Sequence, residues 1–181
     1  VAPNVPIYMG GPEVSYNAKE FLLQNNEVEG IMRGEGEKIF ANFVTAVSEE
    51  NRPIPNLSNI KGMVYRSASG EIIENELESP LDMSDIPFVY KDLKQFENKI
   101  MYYETSRGCP FSCSYCLSSI DKKLRFRNLS LVKEELKFFI DNKVAQVKFV
   151  DRTFNCKKDH AIEIWKFIKE HDNGITNFHF E

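Results

Sequence analysis

Short extended runs alternate with helical periods over the first sixty residues. Ile7-Tyr8-Met9 and Gly30-Ile31-Met32-Arg33 have the composition of strands, with a helical stretch from about residue 17 to residue 24 between them. A second helix, ended by residues 51–53, is predicted by one apolar face at the i, i+3, i+4, i+7 spacing: Phe40, Phe43, Val44 and Val47. This β-α-β-α order predicts a small parallel-sheet unit of doubly wound, Rossmann-like type.

A predicted hairpin and an irregular segment follow this unit. Residues 61–66 and 71–75 have the pattern of two strands joined by Ser67-Ala68-Ser69-Gly70. Residues 76–99 carry prolines and aspartates without a clean period, which is typical of a linker. We therefore predict three segments: an α/β unit over residues 1–60, a hairpin and linker over residues 61–95, and a second unit over residues 96–181.

The second unit has three predicted strands and two predicted helices. The strands are residues 100–105, 146–150 and 176–181. The first helix has Ser130 as its N-cap and a buried stripe of Val132, Leu136, Phe139 and Ile140. The second spans residues 159–170, with an apolar face of Ala161, Ile164, Trp165 and Ile168. The fold class we predict is α/β: a partial Rossmann-like unit followed by the first half of a (β/α) barrel, a partial TIM barrel.

Composition and charge exclude several classes of function. Of the 181 residues, 42% are apolar, and 27 acidic against 23 basic residues give a net charge of −4. This charge offers no electrostatic case for nucleic acid or for an anionic membrane surface, and the apolar runs are too short to cross a bilayer. We expect a globular cytoplasmic protein. Because the chain opens on a strand-like run and stops inside another, we also expect a fragment of a longer protein.

Three of the four cysteines lie within eight residues, as a CxxxCxxC run of Cys109, Cys113 and Cys116. Three thiolates at this spacing can hold three corners of an iron–sulfur cube, and no fourth cysteine lies nearby to hold the last iron. A zinc site normally shows two CxxC or Cys/His pairs, whereas Cys156 lies forty residues further on. Disulfide frameworks belong to small secreted chains. The spacing favours a cluster with one open iron, with zinc as the alternative.

The cysteine run, with an aromatic residue directly before its last cysteine, resembles the signature of radical S-adenosylmethionine enzymes. The resemblance implies that Cys109, Cys113 and Cys116 ligate a 4Fe-4S cluster and that Tyr115 packs near the adenine of S-adenosylmethionine. It also implies that an electron from an external donor, such as flavodoxin or ferredoxin, splits the sulfonium and yields a 5′-deoxyadenosyl radical. Enzymes of this family have a complete or partial (β/α) barrel, of which residues 96–181 would be the first half.

The first unit is similar to part of a cobalamin-binding domain. Residues 7–13 and 31–37 resemble its last two strand-loop segments, and residues 149–155 also resemble the cobalamin-dependent group of radical enzymes. That group includes methyltransferases and the anaerobic oxidative cyclase of bacteriochlorophyll synthesis. The Asp-x-His-x-x-Gly motif that supplies the lower cobalt ligand is not in this chain.

Four glycines follow the two strands of the first unit. Gly10, Gly11, Gly34 and Gly36 would let the backbone approach a phosphate or corrin tail at the carboxyl ends of parallel strands. The alternative is that each glycine pair is a turn before a helix.

Two acidic residues, Asp151 and Glu181, lie at the ends of predicted strands in the second unit. Asp151 is expected to accept hydrogen bonds from the α-ammonium of S-adenosylmethionine, and the alternatives are an ion pair with Arg152 or a helix cap. Glu181 has the corresponding position after the third strand. A solvated loop is the expectation for four basic residues, with contact to a phosphate or to the cofactor carboxylate as the alternative: Lys122, Lys123, Arg125 and Arg127. Cys156 and the three histidines are expected to be bystanders.

Together these features predict an enzyme that cleaves S-adenosylmethionine with a 4Fe-4S cluster, with cobalamin in the group it resembles. The expected reaction on a small-molecule substrate is methyl transfer or oxidative cyclisation. The alternatives are a radical methylthiotransferase without cobalamin, acting on RNA or protein, and a non-catalytic zinc-binding scaffold. We expect the isolated chain to be inactive, because the remaining barrel strands that enclose S-adenosylmethionine lie outside it.

Overall fold

A computed structural model describes residues 5–50 and 56–180 of the chain. Its residue contacts divide the chain into two compact units, Val1–Leu81 and Asp82–Glu181. The predicted hairpin belongs to the first unit, and the segment after it is divided, with residues 76–81 in the first unit and residues 82–99 in the second. The predicted helix stop at residues 51–53 and the position of Glu181 lie outside the described residues. Within the described ranges, no helix has the length and apolar character needed to span a membrane.

A four-stranded mixed sheet forms the centre of the first unit. Strands and helices follow in chain order as β1 (Ile7–Gly10), α1 (Pro12–Ser15), α2 (Ala18–Gln24), β2 (Val28–Met32), α3 (Gly36–Glu50), β3 (Met63–Arg66) and β4 (Ile72–Glu74). Strand β1 pairs with β2 in parallel, and β3 and β4 add two antiparallel strands in the order β1-β2-β3-β4. The predicted parallel pair and the predicted hairpin are both confirmed.

Alternate side chains of β2 face two separate cores. Ile31 packs with α1 and α2 on one face of the sheet, in a cluster that also contains Leu22. Met32 packs on the other face with Ile39 of α3 and Met63. Because successive strand residues point to opposite faces, one strand can carry helices on both sides. The unit is therefore doubly wound, as its pattern predicts.

The buried face of α3 differs from the predicted face. Ile39 is fully buried and Phe43 stacks on Tyr8, with ring centroids 4.5 Å apart. Phe40 is 57% exposed, and Val44 and Val47 are each 43% exposed, so the predicted stripe is wrong except at Phe43. The helix carries two overlapping apolar stripes, and packing against Met32 and Met63 selects the one that contains Ile39.

The second unit contains three parallel strands and a small antiparallel ladder. In chain order its elements are β5 (Met101–Tyr103), β6 (Ser106–Arg107), β7 (Arg125–Phe126), α4 (Leu129–Asp141), β8 (Gln146–Phe149), α5 (Lys158–His171) and β9 (Asn177–His179). Short 3-10 helices lie at Met83–Asp85, Leu93–Phe96, Leu117–Ser119 and Phe154–Cys156. The order β5-β8-β9, with α4 and α5 in the two connections, is the predicted β/α repeat of a partial barrel.

The core of this unit lies between the parallel strands and the two helices. Helix α4 contributes the predicted stripe of Val132, Leu136, Phe139 and Ile140, all of them buried. Val147 and Phe149 of β8 complete the layer with Ile164 of α5. Trp165 is 44% exposed, so the predicted apolar face of α5 is only partly buried.

A buried ion pair connects α4 to the first 3-10 helix of this unit. Arg127 donates from Nη2 and Nε to the carboxylate of Glu135, at 2.5 and 2.9 Å, and from Nη1 to the carbonyl oxygen of Met83. The Tyr103 hydroxyl also donates to Glu135, at 2.5 Å. Burial, followed by this hydrogen bond, raises the pKa of Tyr103. The expected solvated position of Arg127 is therefore wrong, because its charge is neutralised inside the unit.

The N-cap of α4 is Asn128, and the predicted cap at Ser130 is wrong. The Asn128 side-chain oxygen accepts a hydrogen bond from the Ser130 backbone N–H at 2.8 Å. Both residue types favour caps, but only Asn128 precedes the first helical turn with an extended backbone.

Replacing the Asn128 cap is expected to lower the free energy of unfolding. Asn128→Ala removes the side-chain acceptor and should cost about 1 kcal/mol, measured by urea denaturation. Ser130→Ala is the matched control and should change stability by less than about 0.5 kcal/mol. An equal loss in both variants would assign the cap to Ser130 instead.

Candidate functional site

The cysteine run lies on a loop closed by the β6–β7 ladder. Ser106 pairs with Phe126 and Arg107 pairs with Arg125, so residues 108–124 leave and return at one point. This point follows the carboxyl end of β5, where the barrel pattern places functional groups. The position of the loop was therefore predictable from the order of strands and helices.

The three cysteines of the loop differ in exposure. Cys109 is 8% exposed, Cys116 is half-buried and Cys113 is exposed, and all three are free thiols. Within the part of the chain that the structure describes, no three His, Cys, Asp or Glu side chains come together in the geometry of a metal site. The cysteines therefore share one loop without converging on a single point.

Backbone hydrogen bonds shape the loop at its first and last cysteines. The N–H of Cys109 donates to the carbonyl oxygen of Asp121 at 2.9 Å, and the N–H of Cys116 donates to that of Cys113 at 3.1 Å. The Sγ atom of Cys109 lies 3.5 Å from the hydroxyl of Thr153, after β8. Cys109 is thus fixed by contacts on two sides.

The donor set of the loop fits a 4Fe-4S cluster. Thiolates are the ligands that such clusters take, and three of them leave one iron open for another molecule. The exposure of Cys113 leaves its side chain room to rotate towards the other two, and ligand ordering is generally coupled to metal binding. Cys109, Cys113 and Cys116 would hold the group.

Gly108 is the tightest point of the loop. Its φ of +95° is unfavourable for any residue with a side chain, and a Cβ atom there would lie 2.6 Å from the carbonyl oxygen of Lys123. The same atom would lie 3.2 Å from the carbonyl oxygen of Asp121, which also accepts the N–H of Cys109. The backbone before the first cysteine therefore requires glycine.

Replacing Gly108 is expected to distort the loop. Gly108→Ala adds a left-handed-region penalty and a clash with fixed backbone, so we expect a loss of about 2–4 kcal/mol in urea denaturation. Gly174 also has a positive φ, of +68°, but an added Cβ would meet no heavy atom within 4 Å. Gly174→Ala should therefore cost only about 1 kcal/mol. Equal losses would show that the Lys123 backbone yields to the added methyl group.

Asp151 lies beneath the start of the loop and is 1% exposed. Its Oδ1 atom accepts hydrogen bonds from the hydroxyls of Thr105 and Ser106, at 2.7 and 2.6 Å, and from the N–H of Thr105 at 3.1 Å. Burial raises the pKa of Asp151, and these hydrogen bonds oppose the increase. The carboxylate therefore joins the carboxyl ends of β5 and β8. Its contact with an α-ammonium group stays a prediction.

His160 extends this polar network into α5. Its Nε2 atom lies 3.4 Å from the Thr105 hydroxyl, and its ring packs on Phe126 with centroids 4.9 Å apart. Burial, with a smaller contribution from Lys157, lowers the pKa of His160 below its ordinary value. The neutral imidazole is thus favoured inside the unit.

Sequence reasoning did not identify Thr105, Ser106 or Thr153 as neighbours of the site. All three follow β5 or β8 at the carboxyl ends. The same positional argument that selected Asp151 would have found them, because small polar residues at these ends can bond a buried carboxylate.

Tyr115 is 91% exposed, so its side chain is free for contact with a ligand, and its predicted place near adenine stays a prediction. Arg107 donates to both carboxylate oxygens of Glu104, at 3.1 and 2.7 Å. Arg125 pairs with Asp121 at 2.7 Å. These two ion pairs flank the β6–β7 ladder and hold its ends.

The four candidate glycines of the first unit lie at or after the carboxyl ends of two adjacent parallel strands. Gly10 ends β1, and Gly11 and Gly34 have φ values of +99° and +89°. An added Cβ at Gly11, Gly34 or Gly36 would meet no heavy atom within 4 Å, so the space around these three positions is open. The positive φ values favour the turn interpretation for Gly11 and Gly34. Contact with a corrin or phosphate stays a prediction.

A cleft of about 630 Å³ lies at the other end of the second unit. It is lined by residues 93–94, 96–101 and 142–146, which precede β5 and β8. Because the cysteine loop follows the carboxyl end of β5, this cleft is not part of the candidate site.

Comparison with known proteins shows which enzymes the chain is similar to. No protein-family model matches the chain. In an alignment of 184 positions that covers 96% of its length, the chain is 32% identical to an uncharacterized methyltransferase of Pyrococcus horikoshii. It is 26% identical over 97% of its length to the anaerobic magnesium-protoporphyrin IX monomethyl ester cyclase of Rubrivivax gelatinosus, and 24% identical over 84% to a cobalamin-dependent radical SAM methyltransferase of Streptomyces tokunonensis.

The chain is similar to enzymes of the radical S-adenosylmethionine superfamily. Solved structures have the same fold. The cobalamin-dependent S-adenosylmethionine radical enzyme OxsB matches 96% of the chain with a TM-score of 0.71 and 19% identity. The radical S-adenosylmethionine methyltransferase TsrM from Kitasatospora setae matches 93% with a TM-score of 0.65 and 21% identity.

The chain spans 39% of the Pyrococcus relative, 33% of the Rubrivivax cyclase, 25% of OxsB and 35% of TsrM. The predicted resemblance of the chain to cobalamin-dependent radical S-adenosylmethionine enzymes is confirmed by these relatives. The predicted fold class is confirmed as well.

Proposed function

We propose that this chain is the cluster-bearing part of a radical enzyme that cleaves S-adenosylmethionine reductively. The observation that carries the proposal is the cysteine loop at the carboxyl end of β5, within three parallel strands of a β/α repeat. When bound, a 4Fe-4S cluster would supply one electron to the sulfonium, giving methionine and a 5′-deoxyadenosyl radical.

The residues of the chain would hold and orient the reactants in this reaction. Cys109, Cys113 and Cys116 would bind three irons and leave the fourth to the amino and carboxylate groups of S-adenosylmethionine. The exposed ring of Tyr115 would pack on the adenine. The buried Asp151 would act through Thr105 and Ser106, because it fixes the strand end from which the loop departs.

We assign cobalamin to the first unit as part of the same proposal. Gly10, Gly11, Gly34 and Gly36 lie on two loops that leave adjacent parallel strands at the same edge. Ligands of doubly wound sheets bind at that edge, where an open backbone accepts phosphate or a corrin tail. Methyl transfer to a small molecule is one expected outcome, and oxidative cyclisation is the other. Relatives of both kinds are similar to this chain.

A second candidate is a methylthiotransferase. A putative methylthiotransferase of Methanocaldococcus jannaschii is 27% identical to this chain over 137 residues, 74% of its length. That reaction requires a second cluster domain or an RNA-binding module, for which this sequence gives no signal. A zinc-binding scaffold is the third candidate, with the same three cysteines as ligands.

Anaerobic reconstitution tests the proposal. We expect about four irons and four sulfides per chain, and an electron paramagnetic resonance signal of a reduced cluster after dithionite treatment. Added S-adenosylmethionine should change that signal by binding the open iron, while 5′-deoxyadenosine formation by this chain alone should be low. Stoichiometric zinc without iron would support the scaffold instead. Rapid 5′-deoxyadenosine formation would overturn the expected inactivity of the isolated chain.

A further inference from the structure

Four exposed lysines lie at the end of the cysteine loop and at the start of α5. Lys122 and Lys123 precede β7, and Lys157 and Lys158 begin α5. We call these four residues the basic surface. It stands out because the chain as a whole has a net charge of −4.

Local contacts place the basic surface beside Cys109. The carbonyl oxygen of Lys123 lies against Gly108, directly before Cys109. The Lys157 ammonium lies 4.9 Å from the ring centroid of Phe126, in the β7 strand that closes the loop. The Lys123 backbone and the Lys157 side chain therefore both lie against residues at the base of the loop that carries the thiols.

Among the described residues, no ion pair joins a lysine of the basic surface to an acidic side chain. The ion pairs of this region, among the described residues, are Arg107 with Glu104 and Arg125 with Asp121. Neither pair includes a lysine of the basic surface. Lys157 is the N-cap of α5 without a side-chain cap, and Lys158 is the first helical residue. Cations at a helix N-terminus oppose the helix dipole and lower helix stability. Lys157 and Lys158 thus add positive electrostatic potential to this face and lower the stability of α5.

From this charge pattern we infer that the basic surface docks an acidic one-electron donor protein of the flavodoxin or ferredoxin type. The inference rests on the proposed function, in which the loop holds a cluster that must receive an electron. Electron-transfer encounters use small interfaces, and charge complementarity accelerates them. A nucleic acid is a poorer fit, because four lysines neutralise too few phosphates for firm binding and the rest of the chain is acidic.

Charge reversal of the basic surface tests its role. The variant Lys122→Glu/Lys123→Glu/Lys158→Glu leaves Lys157 on Phe126. The control Lys91→Glu/Lys94→Glu/Lys169→Glu makes the same charge change at exposed lysines elsewhere in the second unit, with Lys169 in the last turn of α5. Both chains are reconstituted, and cluster reduction is followed with a reduced acidic flavodoxin and separately with dithionite.

We expect the rate with flavodoxin at low ionic strength to fall about tenfold or more in the basic-surface variant and to change less than about twofold in the control. Added salt should slow the wild-type reaction and leave the variant nearly unchanged. Dithionite should reduce all three clusters equally, which reports that the loop is intact.

Equal flavodoxin rates in the two triple variants would overturn the docking inference and leave the proposed function standing. So would loss of single-stranded RNA binding in the basic-surface variant with unchanged flavodoxin rates. If the wild-type chain holds no reducible cluster, the proposed function fails. In that case, calorimetry with oxidised flavodoxin tests the docking inference separately. Loss of flavodoxin binding only in the basic-surface variant would support the inference. Equal flavodoxin binding in all three chains would overturn it.

Discussion

Alanine at Cys109, Cys113 or Cys116 is expected to abolish iron–sulfur assembly, whereas alanine at Cys156 should leave it intact. Each of the first three thiols would hold one iron, and a cube with only two protein ligands dissociates readily. We expect at least about a tenfold loss of iron and sulfide after anaerobic reconstitution of each single variant. The reduced-cluster resonance signal should disappear in parallel.

Cys156 is the matched control for this experiment. It is also a free, half-buried thiol in the same unit, next to the start of α5, and burial raises its pKa. Iron loss in Cys156→Ala equal to that in the other three would mean that the spacing of the run does not define the ligand set. Retained iron in Cys113→Ala would argue for a different cluster type.

Alanine at Glu135 is expected to lower the free energy of unfolding of the second unit by about 3–5 kcal/mol, measured by urea denaturation. Glu135 accepts two of the three hydrogen bonds that the Arg127 guanidinium donates, and it also accepts that of the Tyr103 hydroxyl. Its removal leaves a buried cation and a buried hydroxyl without their acceptor, and such groups carry the full desolvation cost.

Glu134 provides the control, because it is the neighbouring residue of α4 and is exposed. Glu134→Ala should change the free energy of unfolding by less than about 0.5 kcal/mol. Combining Glu135→Leu with Arg127→Met should cost less than Glu135→Ala, since no unpaired charge then remains. A small effect of Glu135→Ala alone would contradict the burial of this ion pair.

The regular elements of the fold could be predicted because their apolar periods are clear. The stripe of α4, from Val132 to Ile140, is the clearest case, and the three strands of the barrel half follow from short apolar runs. The face of α3 could not be predicted in the same way. Phe40 and Ile39 begin overlapping stripes, and only the packing partners on the sheet distinguish them.

Contacts between residues that are distant in sequence could not be predicted either. Arg127 has the sequence context of a solvated basic loop, but its partners are Glu135 and the carbonyl oxygen of Met83, 44 residues away. Asp151 was correctly placed at a strand end, while its bonds to Thr105 and Ser106 required the neighbouring strand to be known. Position along the sheet was therefore predictable, and the side-chain partners were not.

In the candidate site, too, the positions of the residues were predictable from the sequence and their contacts were not. The spacing of the cysteine run selects a ligand set by residue type, and its location after β5 follows from the order of strands. The need for glycine at position 108 depends on the Lys123 carbonyl oxygen, which only the folded loop brings close. No periodicity in the sequence reports such a contact.

The short β6–β7 ladder affects how a cluster lost by reaction with oxygen would be rebuilt. Because residues 107 and 125 are already paired, the segment between them is a closed loop. The entropic cost of bringing its two ends together has therefore already been met by the fold. If a cluster were destroyed by oxygen, the loop would therefore stay closed at its base, and repair would need fresh iron and sulfide, reduced thiols and the renewed ordering of their side chains. Refilling should thus proceed without renewed folding of the surrounding strands.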